Sequence, residues 1–170
     1  KKNLKKSIKK EKIKNEVDNK KFIKKKERKK IGIFFIGRLE HIKGCIEFVE
    51  GISLLSKKDK EKVSVTMLGT GSLKTRVLSL IKKKKLSKII KHKDRIPHNS
   101  IKDIHRDCDI YVSLNKLGNL SNANLECFAS GTCSIIIDSN PYTFSDLNME
   151  KYFSKNSLIK VAFNSVEKDL

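Results

Sequence analysis

Residues 31–44 read IGIFFIGRLEHIKG. Ile31 to Ile36 is an apolar run of strand length, with no polar alternation, and Gly37 closes it. A run of that kind fits a strand buried on both faces. A polar loop follows, Gly37 to Gly44. Beyond it Ile46, Val49, Ile52 and Leu55 recur at helical spacing between Lys43 and Ser56. A doubly buried strand that feeds an amphipathic helix through a short loop is the repeating step of a layered α/β domain.

The same step recurs further along the chain. Val63 to Leu68 (VSVTML) reads as a second strand, ended by Gly69 and Gly71. Leu73 to Leu86 reads as a helix with Leu73, Val77, Leu80 and Ile81 on one face. Lys88 to Ile90, extended toward Ile96, is a third, short strand. Asn99 to Asp107 is a short helix with Asn99 as its N-cap, and Ile110 to Leu114 is a strand. Asn122 to Ser130 is a helix capped by Ser121 and stopped by Gly131, and Cys133 to Asp138 is a strand. Leu158 to Phe163 adds one more strand, and Ser165 caps a helix that the chain does not complete. Ahead of residue 31, Leu4, Ile8, Ile13 and Val17 share helical spacing, but lysines along such a helix repel one another. Apolar strands alternating with helices predict a parallel sheet covered on both faces. Right-handed crossovers then give a doubly wound, Rossmann-like layer.

The chain has 170 residues, which fits about one domain. It opens on Lys1 and closes on Leu170, and is expected to be a piece of something longer. Its formal charge is +20, unevenly placed. Residues 1–30 hold 16 basic residues against four acidic ones, a net of +12, while the remainder carries only +8. Lysines number 34 and arginines five. Specific phosphate gripping favours the planar fork of arginine, so this excess reads first as a compositional habit, and second as a surface for nucleic acid or anionic lipid. Aromatics at 6%, with no Trp, disfavour a dedicated nucleic-acid module.

No stretch approaches the roughly 18 apolar residues of a membrane-spanning helix. The basic N-terminus has no apolar segment behind it and so is no signal peptide. Cys45, Cys108, Cys127 and Cys133 form no CxxC pair and no metal-ligand spacing. They read as small buried hydrophobes, reduced as in a cytosolic compartment. His41, His92, His98 and His105 are scattered, and no metal site is expected.

In open α/β sheets, ligands bind beyond the C-terminal ends of the strands. Three loops lie there. In GRLEHIKG (Gly37–Gly44), Arg38 and Lys43 would project toward one crevice, two cations that suit a diphosphate. Composition alone also allows two solvated cations. In LGTGSL (Leu68–Leu73), Gly69 and Gly71 allow a tight turn and close backbone approach. In LGNLSNANLECFASG (Leu117–Gly131), a polar loop runs into a helix whose first turn carries Asn122, Ala123 and Asn124. Free first-turn amides there are a ready anion site. Glu126, one turn inside, either stabilises the helix start or accepts hydrogen bonds from a ribose diol.

Taken together these segments resemble the donor-binding half of a GT-B glycosyltransferase of the group 1 family. GRLEHIKG is similar to the family's GRL-x-x-x-KG, and LGTGSLKTRV to its G-x-G-x-L-x-x-x-[LV] turn and helix. RIPHNSIKDIHRDCDIYVSLN resembles its loop, short helix and A-D-[VI]-[FY]-V-x-P-S strand. GNLSNANLECFASGTCSIII resembles its E-G-F-G-x-x-x-x-E-A-M-A-x-G-x-P-V-[IV] segment, and NEVDNKKF (residues 15–22) the hinge N-G-V-D-x-x-x-F. The likeness runs over residues 15–138, with the motifs in the family's order.

The resemblance implies a division of the chain and roles within it. Residues 1–30 are a basic hinge from an N-terminal acceptor domain that is missing here. Residues 31–170 are the nucleotide-sugar-binding domain, with an incomplete C-terminal helix. Arg38 and Lys43 match the basic pair that holds the donor diphosphate and acts in catalysis. Gly37 and Gly69 match the turns beside the donor, and the backbone of Asn122 and Ala123 matches the helix start that meets phosphate. Glu126 matches the second carboxylate of the E-x7-E motif, which contacts ribose. Arg95 and Ile96 lie where the base is met. Where the family has the first carboxylate, this chain has Gly118, and Asn119 or Asn122 takes its place in a GN-x-x-N version of the loop.

The activity implied is transfer of a sugar, of hexosyltransferase type with retention, from a nucleotide-diphosphate sugar to a glycan or lipid-linked acceptor. It needs no metal and no cofactor. It would run in the cytoplasm, at the membrane face if residues 1–30 touch anionic lipid, and the isolated chain would be an inactive fragment. Two alternatives stand beside it: a basic module for polyanions or membrane surfaces, and a degenerate transferase domain without catalysis.

Overall fold

The computed structural model describes residues 29–97, 100–116, 118, 121–137 and 158–161. The expected hinge at residues 15–22, the N-terminal helical pattern, the caps at Asn99 and Ser165, and Asn119 lie outside them.

Among the described residues six strands form one sheet: β1 (Ile31–Ile36), β2 (Val63–Leu68), β3 (Ile90–Lys93), β4 (Ile110–Ser113), β5 (Cys133–Ile137) and β6 (Leu158–Val161). Their order is β3-β2-β1-β4-β5-β6, and every pairing is parallel. The chain therefore winds outward from β1 to β3, returns, and winds the other way from β4. The doubly wound Rossmann-like layer expected from the sequence is the one observed. The winding reverses between β1 and β4, where Ile33 sits opposite Ile110 and Phe34 opposite Tyr111. The loops beyond those two strand ends flank the crevice such sheets use for ligands.

The core explains the apolar runs. Phe34 and Phe35 are adjacent in β1, point to opposite faces, and are each 1% exposed. Phe35 joins Val65, Met67, Phe48, Val49 and Val77 on one side of the sheet. Its ring centroid lies 5.0 Å from that of Phe48. Phe34 joins Leu68, Cys108, Tyr111 and Cys127 on the other side. Each such side chain contributes about 1.5–3 kcal/mol by leaving water.

Among the described residues five α-helices lie between the strands: α1 (Cys45–Leu54), α2 (Lys57–Lys62), α3 (Lys74–Lys83), α4 (Ile101–Arg106) and α5 (Asn122–Ala129). Three differences from the sequence reading have physical causes. α1 starts at Cys45, not Lys43, because Gly44 takes φ +65° and His41–Lys43 form a separate 3₁₀ turn. α2 (KKDKEK) has no apolar residue, so periodicity misses it. It is held by its cap, where Ser56 Oγ accepts from the Asp59 amide at 3.1 Å, and by Lys60 Nζ donating to the Ser53 carbonyl at 2.7 Å. α3 stops short of Leu86 because Lys85 turns to φ +56°. β3 is confined to Ile90–Lys93, and of β6 the described residues are Leu158–Val161, residues 162–163 lying outside them.

Candidate functional site

The two glycine loops are built as one platform. The Gly37 amide donates to the Leu68 carbonyl at 3.0 Å, and the Leu39 amide to Thr70 at 3.0 Å. In return the Leu73 amide donates to the Leu39 carbonyl at 2.9 Å. Leu39, fully buried, pins the loop into the core. Gly69 has φ +145°, and a β-carbon there would stand 1.8 Å from the Gly37 carbonyl oxygen. Only glycine allows that approach. Glu40 adds a clamp that sequence reading missed. Its carboxylate accepts from Ser72 Oγ at 2.6 Å and from the Ser72 amide at 3.0 Å. Those bonds hold the Glu40 carboxyl below the usual carboxylate range.

The loop after β1 is also fastened to the end of β4. The Lys116 amide donates to the Ile42 carbonyl at 2.8 Å, and Lys116 Nζ pairs with Glu47 Oε1 at 3.0 Å. Gly44 packs so closely on Leu114 that a β-carbon would fall 2.4 Å from Leu114 Cβ. The crevice between β1 and β4 is thereby narrowed to backbone contact at its floor.

Arg38 and Lys43 stand on this platform. Arg38 is exposed and Lys43 half-buried. The stem of Lys43 lies over Gly37, where a β-carbon would meet its Cγ and Cδ at 3.9 Å. Burial, and then the charge of Arg38, hold the Lys43 ammonium below the ordinary lysine value. Among the described residues neither cation is within ion-pair distance of a carboxylate. Two neighbouring cations, one partly desolvated, favour an anion between them.

Across the crevice, the start of α5 is fixed by a polar knot. Ser121 Oγ accepts from the Asn124 amide at 3.2 Å, so Ser121 is the N-cap expected. Asn124 is fully buried, and its Oδ1 accepts from Tyr111 OH at 2.8 Å and from Ser121 Oγ at 2.9 Å. Burial pushes the Tyr111 phenol far up, so it stays a donor. Tyr111 was not among the expected site residues, and Asn124 was expected only for its first-turn amide, which Ser121 Oγ occupies. The signal was a polar residue three before Cys127 on the buried face of the helix. The knot anchors the first turn, so the amides of Asn122 and Ala123 keep a fixed direction and have no partner within the helix.

Glu126 is half-buried, with Oε2 3.8 Å from Nε2 of His105. Gly118, at the position of the resembled motif's first carboxylate, is buried with φ +111°. Its carbonyl accepts from Asn115 Nδ2 at 2.5 Å. A left-handed backbone of that kind explains why glycine occupies it. Arg95 is exposed, and Ile96 packs with Ile36 and Ile104 on the Phe34 side of the sheet. Ile96 and Pro97 also line a groove of about 990 Å³ over β1 to β3, together with Lys29, Lys30, Lys91 and Lys93. Arg38, Lys43, Asn122, Ala123 and Glu126 do not line it. Among the described residues no three His, Cys, Asp or Glu side chains are grouped to hold a metal ion, and no helix is long and apolar enough to cross a membrane.

The sequence model of the family described as glycosyl transferases group 1 matches residues 16–152. No curated protein matches the sequence significantly. Solved structures do match the fold. The C-terminal domain of a glycosyl transferase group 1 family protein (LpcC) from Francisella tularensis is 22% identical with a TM-score of 0.64, over 78% of this chain and 67% of that one. The catalytic domain of cholesterol-alpha-glucosyltransferase from Helicobacter pylori is 20% identical with a TM-score of 0.61, over 76% of both chains. Anabaena Alr3699/HepE, in complex with UDP and glucose, is 11% identical with a TM-score of 0.62, over 79% of this chain but only 35% of that one.

Proposed function

Since the chain belongs to the glycosyl transferases group 1 family, we propose that residues 31–170 are the donor-binding half of a retaining GT-B glycosyltransferase. The donor is a nucleotide-diphosphate sugar, and the acceptor a glycan or lipid-linked glycan. Residues 1–30 lead from an acceptor domain, and residues of that domain complete the reaction. The observation that carries this reading is the Arg38–Lys43 pair, held without a carboxylate partner among the described residues on a loop locked by Gly69 and Glu40.

The chemistry follows from charge. When the sugar–phosphate bond breaks, negative charge grows on the departing diphosphate. Arg38, Lys43 and the amides of Asn122 and Ala123 are the donors that meet that charge in this reading, and they do the work a metal ion does elsewhere. Glu126 accepts hydrogen bonds from the ribose diol, and the backbone near Arg95 and Ile96 meets the base. Gly37 and Gly69 keep the loop floor low enough for the phosphates to approach. Asn119 or Asn122 meets the sugar in place of the carboxylate absent at Gly118. Closure of the acceptor domain excludes water and aligns the acceptor. Such a donor places the reaction in the cytoplasm, at the membrane face if residues 1–30 lie on anionic lipid. Calorimetry of the chain with UDP, GDP and ADP tests the reading. One of the three should bind saturably at a single site, and the absence of any binding would refute it.

One observation favours a second reading. Lys29, Lys30, Lys91 and Lys93 border the groove over β1 to β3, and the basic residues 1–28 precede them. Binding of a polyanion there would weaken steeply with salt and ignore base identity. Nucleotide binding to the Arg38 loop would weaken less steeply with salt and would depend on the base.

A further inference from the structure

His105, in the short helix α4, is 5% exposed. Its ring stands edge-on to Phe34, with centroids 6.0 Å apart. Nδ1 lies 3.4 Å from the Cys127 thiol. Among the described residues Nε2 is buried without a hydrogen-bond partner, and Oε2 of Glu126 lies 3.8 Å from it. That separation is an ion-pair distance for a charged ring but too long for a hydrogen bond. Two charge-bearing or polar groups on α5, Glu126 and Cys127, therefore face the two ring nitrogens, and Tyr111 and Cys108 complete the surrounding cluster.

This arrangement selects one tautomer. A carboxylate oxygen facing Nε2 tolerates an N–H there and repels a lone pair. Nδ1 is then the acceptor, and the Cys127 thiol is its donor. Burial lowers the tendency of His105 to take a second proton, and Glu126 only partly offsets that. The ring is thus a neutral donor, held rigidly on one side and unsatisfied on the other. A buried N–H without a partner is costly. The Glu126 side chain is 37% exposed, so a small turn can close the gap on one oxygen while the other keeps facing solvent.

We propose that His105 is a positioning residue of the nucleotide site: its Nε2–H closes on Oε2 of Glu126 and holds the carboxylate in the pose that accepts a ribose diol. The inference rests on the reading of Glu126 as the ribose contact. It assigns the orienting task to a side chain from a different helix, buried under the site rather than lining it. An orienting N–H behind a functional acceptor is a common way to fix its geometry.

The test uses the whole chain and four variants: His105→Phe, His105→Gln, Glu126→Gln and Glu126→Ala. Whichever of UDP, GDP and ADP binds is compared with its 2′,3′-dideoxy counterpart. The wild type should prefer the diol about ten-fold, the scale of a hydrogen bond to a charged group. His105→Phe keeps the ring volume and removes the N–H, and should bring that preference close to one while leaving dideoxy affinity unchanged. His105→Gln places an amide N–H near the same point and should restore most of it. A melting curve shows whether each variant is folded. A second readout needs no change at His105: its ring resonances should shift more with the diol-bearing nucleotide than with the dideoxy one, and Glu126→Gln and Glu126→Ala should abolish the difference. A folded His105→Phe that keeps the ten-fold preference, or ring resonances blind to the diol, would overturn the positioning role alone. A wild type with no preference for the diol would overturn the ribose reading of Glu126, and the proposal with it.

Discussion

The carbonyl oxygen of Gly37 lies 1.8 Å from the point where a β-carbon on Gly69 would stand. The loops after β1 and β2 therefore share a surface that no side chain can enter. Gly69→Ala should cost roughly 3 kcal/mol, since strain at φ +145° and a backbone clash act together. Gly51→Ala is the control. It lies in α1 with nothing within 4 Å of its β-carbon, so it should stabilise by about 0.5–1 kcal/mol. Urea denaturation of both variants measures the contrast. Equal effects would show that the loop contact is not what holds Gly69.

The start of α5 depends on Ser121. Its Oγ is the acceptor for the Asn124 amide and also a donor to Asn124 Oδ1. Ser121→Ala should cost about 1 kcal/mol of stability. It should also weaken nucleotide binding several-fold, because the first-turn amides lose their fixed direction. Thermal melts and calorimetry separate the two effects. Lost stability with unchanged affinity would place the phosphate away from α5.

Restoring the resembled motif at Gly118 should fail. Gly118→Glu puts a β-carbon and a carboxylate on a buried residue at φ +111°. It should cost about 1–2 kcal/mol without any gain in affinity for a nucleotide sugar over the bare diphosphate. Denaturation and competition binding check both parts. A gain in sugar affinity would show that the loop can accommodate the carboxylate.

Lys43 makes binding depend on pH in a defined direction. Burial and Arg38 hold its ammonium below the usual lysine value in the free protein. A diphosphate beside it favours the charged form and raises that value again. Affinity should therefore be level near neutrality and fall as the pH rises through the lowered Lys43 value. Lys43→Arg keeps its charge throughout and should move that fall to higher pH. Calorimetry between pH 7 and 10 reads the difference. Superimposed profiles would remove Lys43 from the phosphate site.

The centre of the sheet was legible because β1 and β5 are apolar on both faces, whereas β3 (IKHK) and β6 (LIKV) carry exposed lysines. Ile31–Ile36 and Val63–Leu68 have the bounds read from sequence, since glycines or lysines cut off each run sharply. α2 was invisible because KKDKEK has no apolar stripe, and its stability comes from a cap and lysine contacts. The start of α1 was misplaced because Gly44 continues the polar loop in composition while its backbone ends it. At the site, Arg38, Lys43 and Ser121 announced themselves by position beside glycines and a helix start. Glu40, Tyr111 and the side chain of Asn124 did not, because their partners are 32, 13 and 13 residues away in sequence. A hydrogen bond across that distance leaves no local pattern.

The central claim is that the Arg38–Lys43 loop and the start of α5 grip one diphosphate. Amide NMR shifts of the chain during titration with UDP, GDP and ADP, beside an Arg38→Ala/Lys43→Ala double variant, test it most directly. The account predicts saturable shifts in residues 37–44 and 121–126 with one nucleotide, lost in the double variant. Shifts confined to the groove over β1 to β3, or binding that survives the double variant unchanged, would contradict it.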